Sequence, residues 1–232
     1  SLHYPIQFLT LAHLFGWIII AVVAFWLVKG DFPIYDKRYA INLFKQSWPI
    51  AATLSLNVIY FRADSFMISY FRSSGEVGIY NVAYSVFQSV LVLPTFIMNA
   101  YYPLMIKSLK GIKLIGFGLF GLAALGTLLT FLLAPAVMGI LTGGGFVGGA
   151  ESLQILSLGF PAYFLSALAM WVLVSKGEYK KMLFIYTLGL IFNLSLNLHF
   201  IPQHSFYAAS LITVISEYLI LAMQFLVLYL GK

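Results

Sequence analysis

Seven long apolar stretches determine what this chain can fold into. Each reaches the roughly 20 residues that a helix needs to cross the hydrocarbon core of a bilayer. They are residues 8–28, 50–71, 79–106, 114–141, 153–174, 182–201 and 207–230. Because these runs are continuous and do not alternate in polarity, the backbone must satisfy its hydrogen bonds within helices. The predicted fold class is therefore all-α, a polytopic transmembrane bundle with seven spans.

The composition agrees with this prediction. Charged residues make up 9% of the chain and hydrophobic residues 62%, whereas soluble domains carry about 25% charged residues. We therefore expect an integral membrane protein.

Basic residues occupy alternate loops. They cluster in residues 29–45, 107–113 and 176–181, and Arg72 is the only lysine or arginine in the intervening loops. By the positive-inside rule, the N-terminus lies outside and the C-terminus lies in the cytoplasm. This topology accounts for the net charge of +6 without a basic patch for nucleic acid, so no nucleic-acid partner is expected.

Arg62 and Asp64 stand inside the second apolar stretch. A charge near the middle of the bilayer costs from roughly 3 to over 10 kcal/mol, so such groups face protein or a hydrated cavity. The two residues are separated by about 200° around a helix, and they cannot form a salt bridge within it. Each therefore needs a partner elsewhere.

Other polar residues recur at helical spacing and form stripes along four of the helices. The stripes predict a hydrated central path, although polar side chains that only join helices, at about 0.6 kcal/mol per contact, remain an alternative. Pro94 is expected to bend the third helix. The stripes include Thr53, Asn57, Tyr60 and Asp64, then Asn81, Gln88 and Asn99, then Asn193 and Asn197, and finally Thr213 and Glu217.

Signals for chemistry are weak. The glycine-rich segment 142–152 lacks the ending of a phosphate-binding loop, and the four histidines show no metal spacing. The chain has seven acidic residues and no cysteine, too few groups in cytoplasmic loops for a membrane glycosyltransferase. We predict neither an enzyme nor a metal site.

Several segments together resemble a known family. Residues 64–105, with Gly78, Tyr80, Ala83 and Pro103, resemble the opening of the second lobe of polysaccharide (O-antigen type) flippases in the multidrug/oligosaccharidyl-lipid/polysaccharide exporter superfamily. Segments 143–156, 175–202 and 208–217 resemble later helices of that family. One departure is Ser205, where relatives usually place glycine in a short external turn.

The resemblance implies a domain organisation. The family has two pseudo-symmetric lobes around a cavity, and this chain matches helices six to twelve. Residues 1–28 would be the last helix of the first lobe, 29–48 a cytoplasmic amphipathic linker, and 49–232 the second six-helix lobe of a MATE-like fold. The rest of the first lobe would precede Ser1.

The resemblance also implies a function. The protein would be a flippase that moves polyprenyl-pyrophosphate-linked oligosaccharide across the bacterial inner membrane for surface polysaccharide synthesis, with the bilayer and glycan polymerase machinery as partners. Arg62 would hold the diphosphate, and Asp64 and Glu217 would bind the coupling H⁺ or Na⁺, with no other cofactor. The remaining path residues would be Asn57, Tyr60, Asn81, Gln88, Asn99, Asn193 and Asn197.

Two alternatives remain open. A cation-coupled multidrug exporter would share the fold, and a non-transporting scaffold subunit would bury the same polar stripes against partner proteins.

Overall fold

The computed structural model describes residues 6–28, 36–145 and 148–230. The described residues form helices and short connections and contain no strand, which confirms the all-helical prediction. The helices are α1 (Ile6–Val28), α2 (Lys37–Phe71), α3 (Ser74–Val90), α4 (Val92–Lys107), α5 (Ile112–Thr142), α6 (Gly149–Ser157), α7 (Phe160–Ser175) and α8 (Tyr179–Leu230).

Four of the predicted helices are interrupted or joined differently. The third is divided into α3 and α4 at Leu91, close to Pro94, as the internal proline predicts. The fifth is divided into α6 and α7, which are bent by 45°. The sixth and seventh are merged in α8, whose backbone breaks at Ser205 into residues 179–204 and 206–230.

By length and apolarity, three helical segments in the described part of the chain could cross a membrane, and the bent pair α6 and α7 could supply a fourth. The three are Ser74–Lys107, Ile112–Thr142 and Tyr179–Leu230. The long α8 is counted once in spite of its break. These helices are those of a membrane protein, while the number of seven spans stays a prediction.

The chain divides into two compact units, Ser1–Gln46 and Ser47–Lys232. In the first unit, the side chains of residues 11–27 of α1 are exposed. Residues 29–35 of the predicted linker lie outside the described residues. Residues 37–48 are helical, so α2 begins well before residue 50, because the Asp36 carboxylate accepts a hydrogen bond from the Arg38 amide at 2.8 Å and caps the helix.

The second unit has an aromatic core between α3, α7 and their neighbours. The rings of Phe87 and Phe160 stack with centroids 5.2 Å apart, and both side chains are fully buried. Tyr80 and Tyr84 stack one turn earlier on α3, with centroids 5.3 Å apart. This core fixes the face of α3 that meets α2 and α8.

A polar clamp holds the break of α8 against the start of α3. The Arg72 guanidinium pairs with Glu76 at 2.9 Å and donates to the Pro202 carbonyl at 3.3 Å. The Ser205 hydroxyl donates to Glu76. The clamp residues, with Glu151 and residues 203–207, line an open pocket of about 720 Å³. The three loops that the charge pattern places on one side of the membrane therefore contribute to one pocket.

Ser205 adopts φ 51° and ψ −136°, a conformation that favours glycine. We expect Ser205→Ala to lower the thermal unfolding midpoint, because alanine keeps the backbone strain and loses the bond to Glu76. Ser205→Gly loses the same bond but relieves the strain, by about 1 kcal/mol. Thermal unfolding of the purified full-length protein in detergent should rank glycine above alanine. The reverse order would contradict the strain at this position.

Candidate functional site

The carboxylate of Asp64 is the centre of a buried hydrogen-bond network. Asp64 is 2% exposed. It accepts hydrogen bonds from the Tyr80 hydroxyl at 2.8 Å, the Thr213 hydroxyl at 2.6 Å and the Asn197 amide at 2.6 Å. These donors come from α3 and from both sides of the break in α8. The carboxylate therefore joins three helical segments to α2.

Two asparagines extend this network along α8. The Asn197 amide nitrogen also donates to the Asn193 side-chain oxygen at 2.9 Å, and Asn193 donates to Ser216 at 3.3 Å. Asn193 and Asn197 are four residues apart, so helical spacing places them on one face. The side-chain oxygen of Asn197 is buried and has no hydrogen-bond partner within the described residues. A free acceptor thus lies on the same amide group that contacts the carboxylate.

No salt bridge joins Asp64 to a basic side chain in the described ranges. A buried carboxylate without a paired cation carries a desolvation cost that hydrogen bonds offset only in part. Carboxylate, amide and hydroxyl oxygens are the ligands that hard cations prefer. The cluster of Asp64, Asn193, Asn197 and Thr213 can therefore hold a proton or a small metal cation.

Glu217 lies beside a second polar feature, a cavity of about 170 Å³. Its side chain is 4% exposed. Asn57 and Tyr60 from α2 line the cavity, so two residues of the predicted path meet one predicted coupling residue here. The other lining residues are Phe61, Leu91, Pro94, Thr95, Tyr163, Ser166, Ala167, Met170 and Tyr186.

The cavity and the Asp64 network are adjacent through Tyr60. Tyr60 lines the cavity, and its hydroxyl donates to the backbone carbonyl of Thr213 at 3.5 Å, while the Thr213 side chain donates to Asp64. The two carboxylates predicted to share a coupling role thus belong to neighbouring but different groups of residues.

The other predicted residues lie outside both groups. Arg62 is exposed, and no ion pair links it to a carboxylate among the residues that the structure describes. Asn81 is half-buried and accepts a hydrogen bond from Ser65 at 2.6 Å. Gln88 is half-buried and Asn99 is exposed. Arg62 and Asp64 therefore point to different sides of α2, as the helical angle between them predicts.

Sequence reasoning missed two direct partners of Asp64. Thr213 belongs to the predicted polar stripe of Glu217, four residues before it, but its contact with Asp64 could not be read from that spacing. Tyr80 gave no polar signal because it lies on the aromatic face of α3 with Tyr84 and Phe87. The stripe was a usable signal for Thr213, whereas only the packed structure reveals Tyr80.

The three hydrogen bonds to Asp64 predict how its substitution changes the stability of the protein. Replacing Asp64 with alanine leaves three buried donors without their acceptor, at about 1–3 kcal/mol for each group that stays unpaired. Asp64→Asn keeps one acceptor oxygen, so its thermal unfolding midpoint should lie between those of the wild type and Asp64→Ala. Thr213→Val is the control that removes a single donor and should cost less than Asp64→Ala. Equal stability of Asp64→Ala and the wild type would contradict the network.

Comparison with known proteins identifies one family. Residues 3–109 match the sequence model of the family described as polysaccharide biosynthesis protein. No curated protein and no solved structure matches the chain significantly. The matched segment includes α2 and α3 and therefore Asn57, Tyr60, Asp64 and Tyr80. The match agrees with the resemblance drawn from the sequence: residues 3–109 are similar to the polysaccharide biosynthesis protein family, and residues 110–232 lie outside the match.

Proposed function

We propose that this chain contains the second lobe of a flippase that moves polyprenyl-pyrophosphate-linked oligosaccharide to the outer leaflet of the bacterial inner membrane. The observation that carries the proposal is the buried carboxylate of Asp64, which joins α2, α3 and both parts of α8 inside an apolar bundle. The family match supports a role in polysaccharide synthesis. The role is transport, with no covalent chemistry.

The Asp64 network supplies the coupling step of this proposal. A cation or proton on Asp64 neutralises the charge that attracts the Tyr80, Thr213 and Asn197 donors. The packing of α3 and α8 against α2 then changes, because a ligand shifts a conformational equilibrium by its difference in affinity for the two states. The unpaired oxygen of Asn197 is a ready ligand for Na⁺. Both Na⁺ and H⁺ fit this role.

The substrate path takes a different set of residues. The cavity beside Glu217 holds about 170 Å³, less than the roughly 300 Å³ at the lower end of small-molecule sites, so it cannot hold an oligosaccharide. Arg62 on α2 and Asn99 on α4 are exposed, and Asn81 and Gln88 are half-buried. In the proposal these residues line a cavity completed by the first lobe, where Arg62 meets the diphosphate and the amides meet sugar hydroxyls.

Transport of the glycan tests the proposal. In cells that depend on the full-length protein, Arg62→Ala and Asp64→Asn should each lower surface glycan at least tenfold, because each removes a charge that the cycle uses. Lys181→Ala and Glu178→Gln break only an exposed ion pair at 2.8 Å and serve as controls for the loss of a cation and an anion.

The outcome separates the candidate functions. Export at the wild-type level in both site variants would refute the assignment of Arg62 and Asp64. Normal surface glycan in cells that lack the protein, together with lost resistance to a toxic cation, would instead identify a drug exporter of the same fold.

Reaction of introduced cysteines tests the hydrated path directly, because the chain has no cysteine of its own. Asn99 and Phe120 are both exposed. Counted in residues, Asn99 is as far from the end of α4 as Phe120 is from the beginning of α5. A membrane-impermeant maleimide reacts with thiolate in water. We expect Asn99→Cys in the full-length protein to react in intact membranes and Phe120→Cys to stay protected by lipid. Protection of both positions would favour the scaffold over the transporter.

A further inference from the structure

The break in α8 joins a polar pocket to an apolar groove. The pocket is the open space of about 720 Å³ that Arg72, Glu76, Glu151 and residues 203–207 line. The groove holds about 470 Å³, and its lining consists of aliphatic and aromatic side chains of α6 and α8. His204 and Tyr207 line both spaces, so the pocket and the groove are continuous.

The groove extends along α8 to the depth of one membrane leaflet. The two parts of α8 fold back on each other, because Asn193, twelve residues before the break, donates to Ser216, eleven residues after it. The groove reaches Leu196 and Ile215, which lie nine and ten residues from the break at Ser205. At 1.5 Å per residue these distances are about 14 and 15 Å, and half of a hydrocarbon core is about 15 Å. The groove therefore matches the depth of one acyl chain.

Helix α6 has the same order of polarity. Glu151 lines the polar pocket, and Ile155 lines the groove one helical turn later. Tyr207 connects the two levels, since it lines both spaces and its hydroxyl is hydrogen-bonded to Glu151. A tyrosine with an apolar body and a hydrated tip is typical of the membrane–water interface. The pocket and the groove together thus have the polarity of a lipid molecule, polar at one end and apolar along its length.

The charges of the pocket fit a headgroup that carries both signs. Arg72 uses three of its five N–H groups on Glu76 and the Pro202 carbonyl, which leaves two for another acceptor. Glu151 is exposed, and no salt bridge joins it to a basic side chain within the described ranges. One guanidinium and two carboxylates, with His204 neutral, give the pocket a formal charge of −1. That charge disfavours a purely anionic headgroup and favours one that also carries a cation.

We propose that the pocket and the groove together bind one molecule of phosphatidylethanolamine, in the leaflet that the charge pattern places outside. The ammonium group binds Glu151, the phosphate accepts hydrogen bonds from Arg72, and one acyl chain lies in the groove along α8. Lipid tails are as apolar as leucine, so the groove adds little affinity in a bilayer and serves to seat the chain. Selectivity comes from the headgroup, whose ammonium donates charge-assisted hydrogen bonds to a carboxylate.

The proposal requires only phospholipid binding, so it can be tested apart from the transport function inferred above. Native mass spectrometry of the purified full-length protein measures it. Delipidated protein in detergent is titrated with phosphatidylethanolamine and, separately, with phosphatidylglycerol of the same acyl chains, which is anionic and has no ammonium group. We expect the first phosphatidylethanolamine to bind about tenfold tighter, because one hydrogen bond to a charged group accounts for such a factor. Equal affinities would indicate ordinary lipid contact and overturn the proposal.

Glu151→Gln tests the contact with the ammonium group. The substitution keeps the shape of the side chain and removes its charge, so the affinity for phosphatidylethanolamine should fall about tenfold, to the level of phosphatidylglycerol. Glu178→Gln changes a carboxylate outside the pocket, which pairs with Lys181, and as the control it should bind like the wild type. An unchanged preference in Glu151→Gln would overturn the assignment of the headgroup.

Leu211→Trp tests the seat of the acyl chain. Leu211 lines the groove and is 50% exposed, so the larger ring fills the groove without entering the core. We expect this variant to lose the bound phosphatidylethanolamine. Leu132→Trp places the same ring on α5, where Leu132 is 65% exposed and does not line the groove, and this control should retain the lipid. Wild-type binding in Leu211→Trp would show that the chain lies elsewhere and overturn the proposal.

Photolabelling of the wild-type protein needs no substitution. An equimolar phosphatidylethanolamine with a diazirine in its acyl chain should label residues 196–215 of α8, which border the groove. Excess unlabelled phosphatidylethanolamine should suppress this label more than phosphatidylglycerol does. Labelling confined to α5 would overturn the proposed seat. A lipid-free dimer that Leu211→Trp dissociates would identify a second copy of the chain as the occupant of the groove and would also overturn the proposal.

Discussion

The architecture of the second unit depends on one buried carboxylate. Asp64 holds α2 against the aromatic helix α3 and against both parts of α8, through three hydrogen bonds of 2.6–2.8 Å. Hydrogen bonds to a charged group contribute about 1.5–3 kcal/mol each, roughly twice those between neutral groups. The same contacts become weaker when the charge is neutralised. One residue therefore both stabilises the bundle and makes its packing depend on the charge of a single carboxylate.

The breaks in the helices lie next to these polar features. Leu91 divides α3 from α4, and Leu91 and Pro94 both line the Glu217 cavity. Ser205 divides α8 at the clamp formed by Arg72 and Glu76. Interrupted helices in a membrane are tolerated where side chains or a cavity satisfy the freed backbone groups. The interruptions thus lie beside Glu217 and beside the ion pair of Arg72 and Glu76.

The sequence predicted the local features and left the tertiary ones undetermined. Helical angles correctly separated Arg62 from Asp64, and an internal proline correctly predicted the interruption near Pro94. The predicted start of the second helix at residue 50 was wrong by more than three turns. The helix begins at Lys37, because Asp36 caps it and the helix continues through Pro49. Helical spacing also grouped Thr213 with Glu217. It could not show that Thr213 binds Asp64 whereas Glu217 lines a separate cavity. That distinction depends on how α8 packs against α2, which periodicity alone does not contain.

The surface of the second unit carries two different kinds of exposed residue. On α5, Leu114, Phe117 and Ile140 are each at least 75% exposed, an apolar face that suits lipid. On α2 and α4, Arg62 and Asn99 are exposed as well, yet a charged guanidinium in contact with hydrocarbon costs several kcal/mol. The two faces therefore cannot share the same environment in a bilayer. Lipid suits the face on α5, whereas the face with Arg62 requires water or protein.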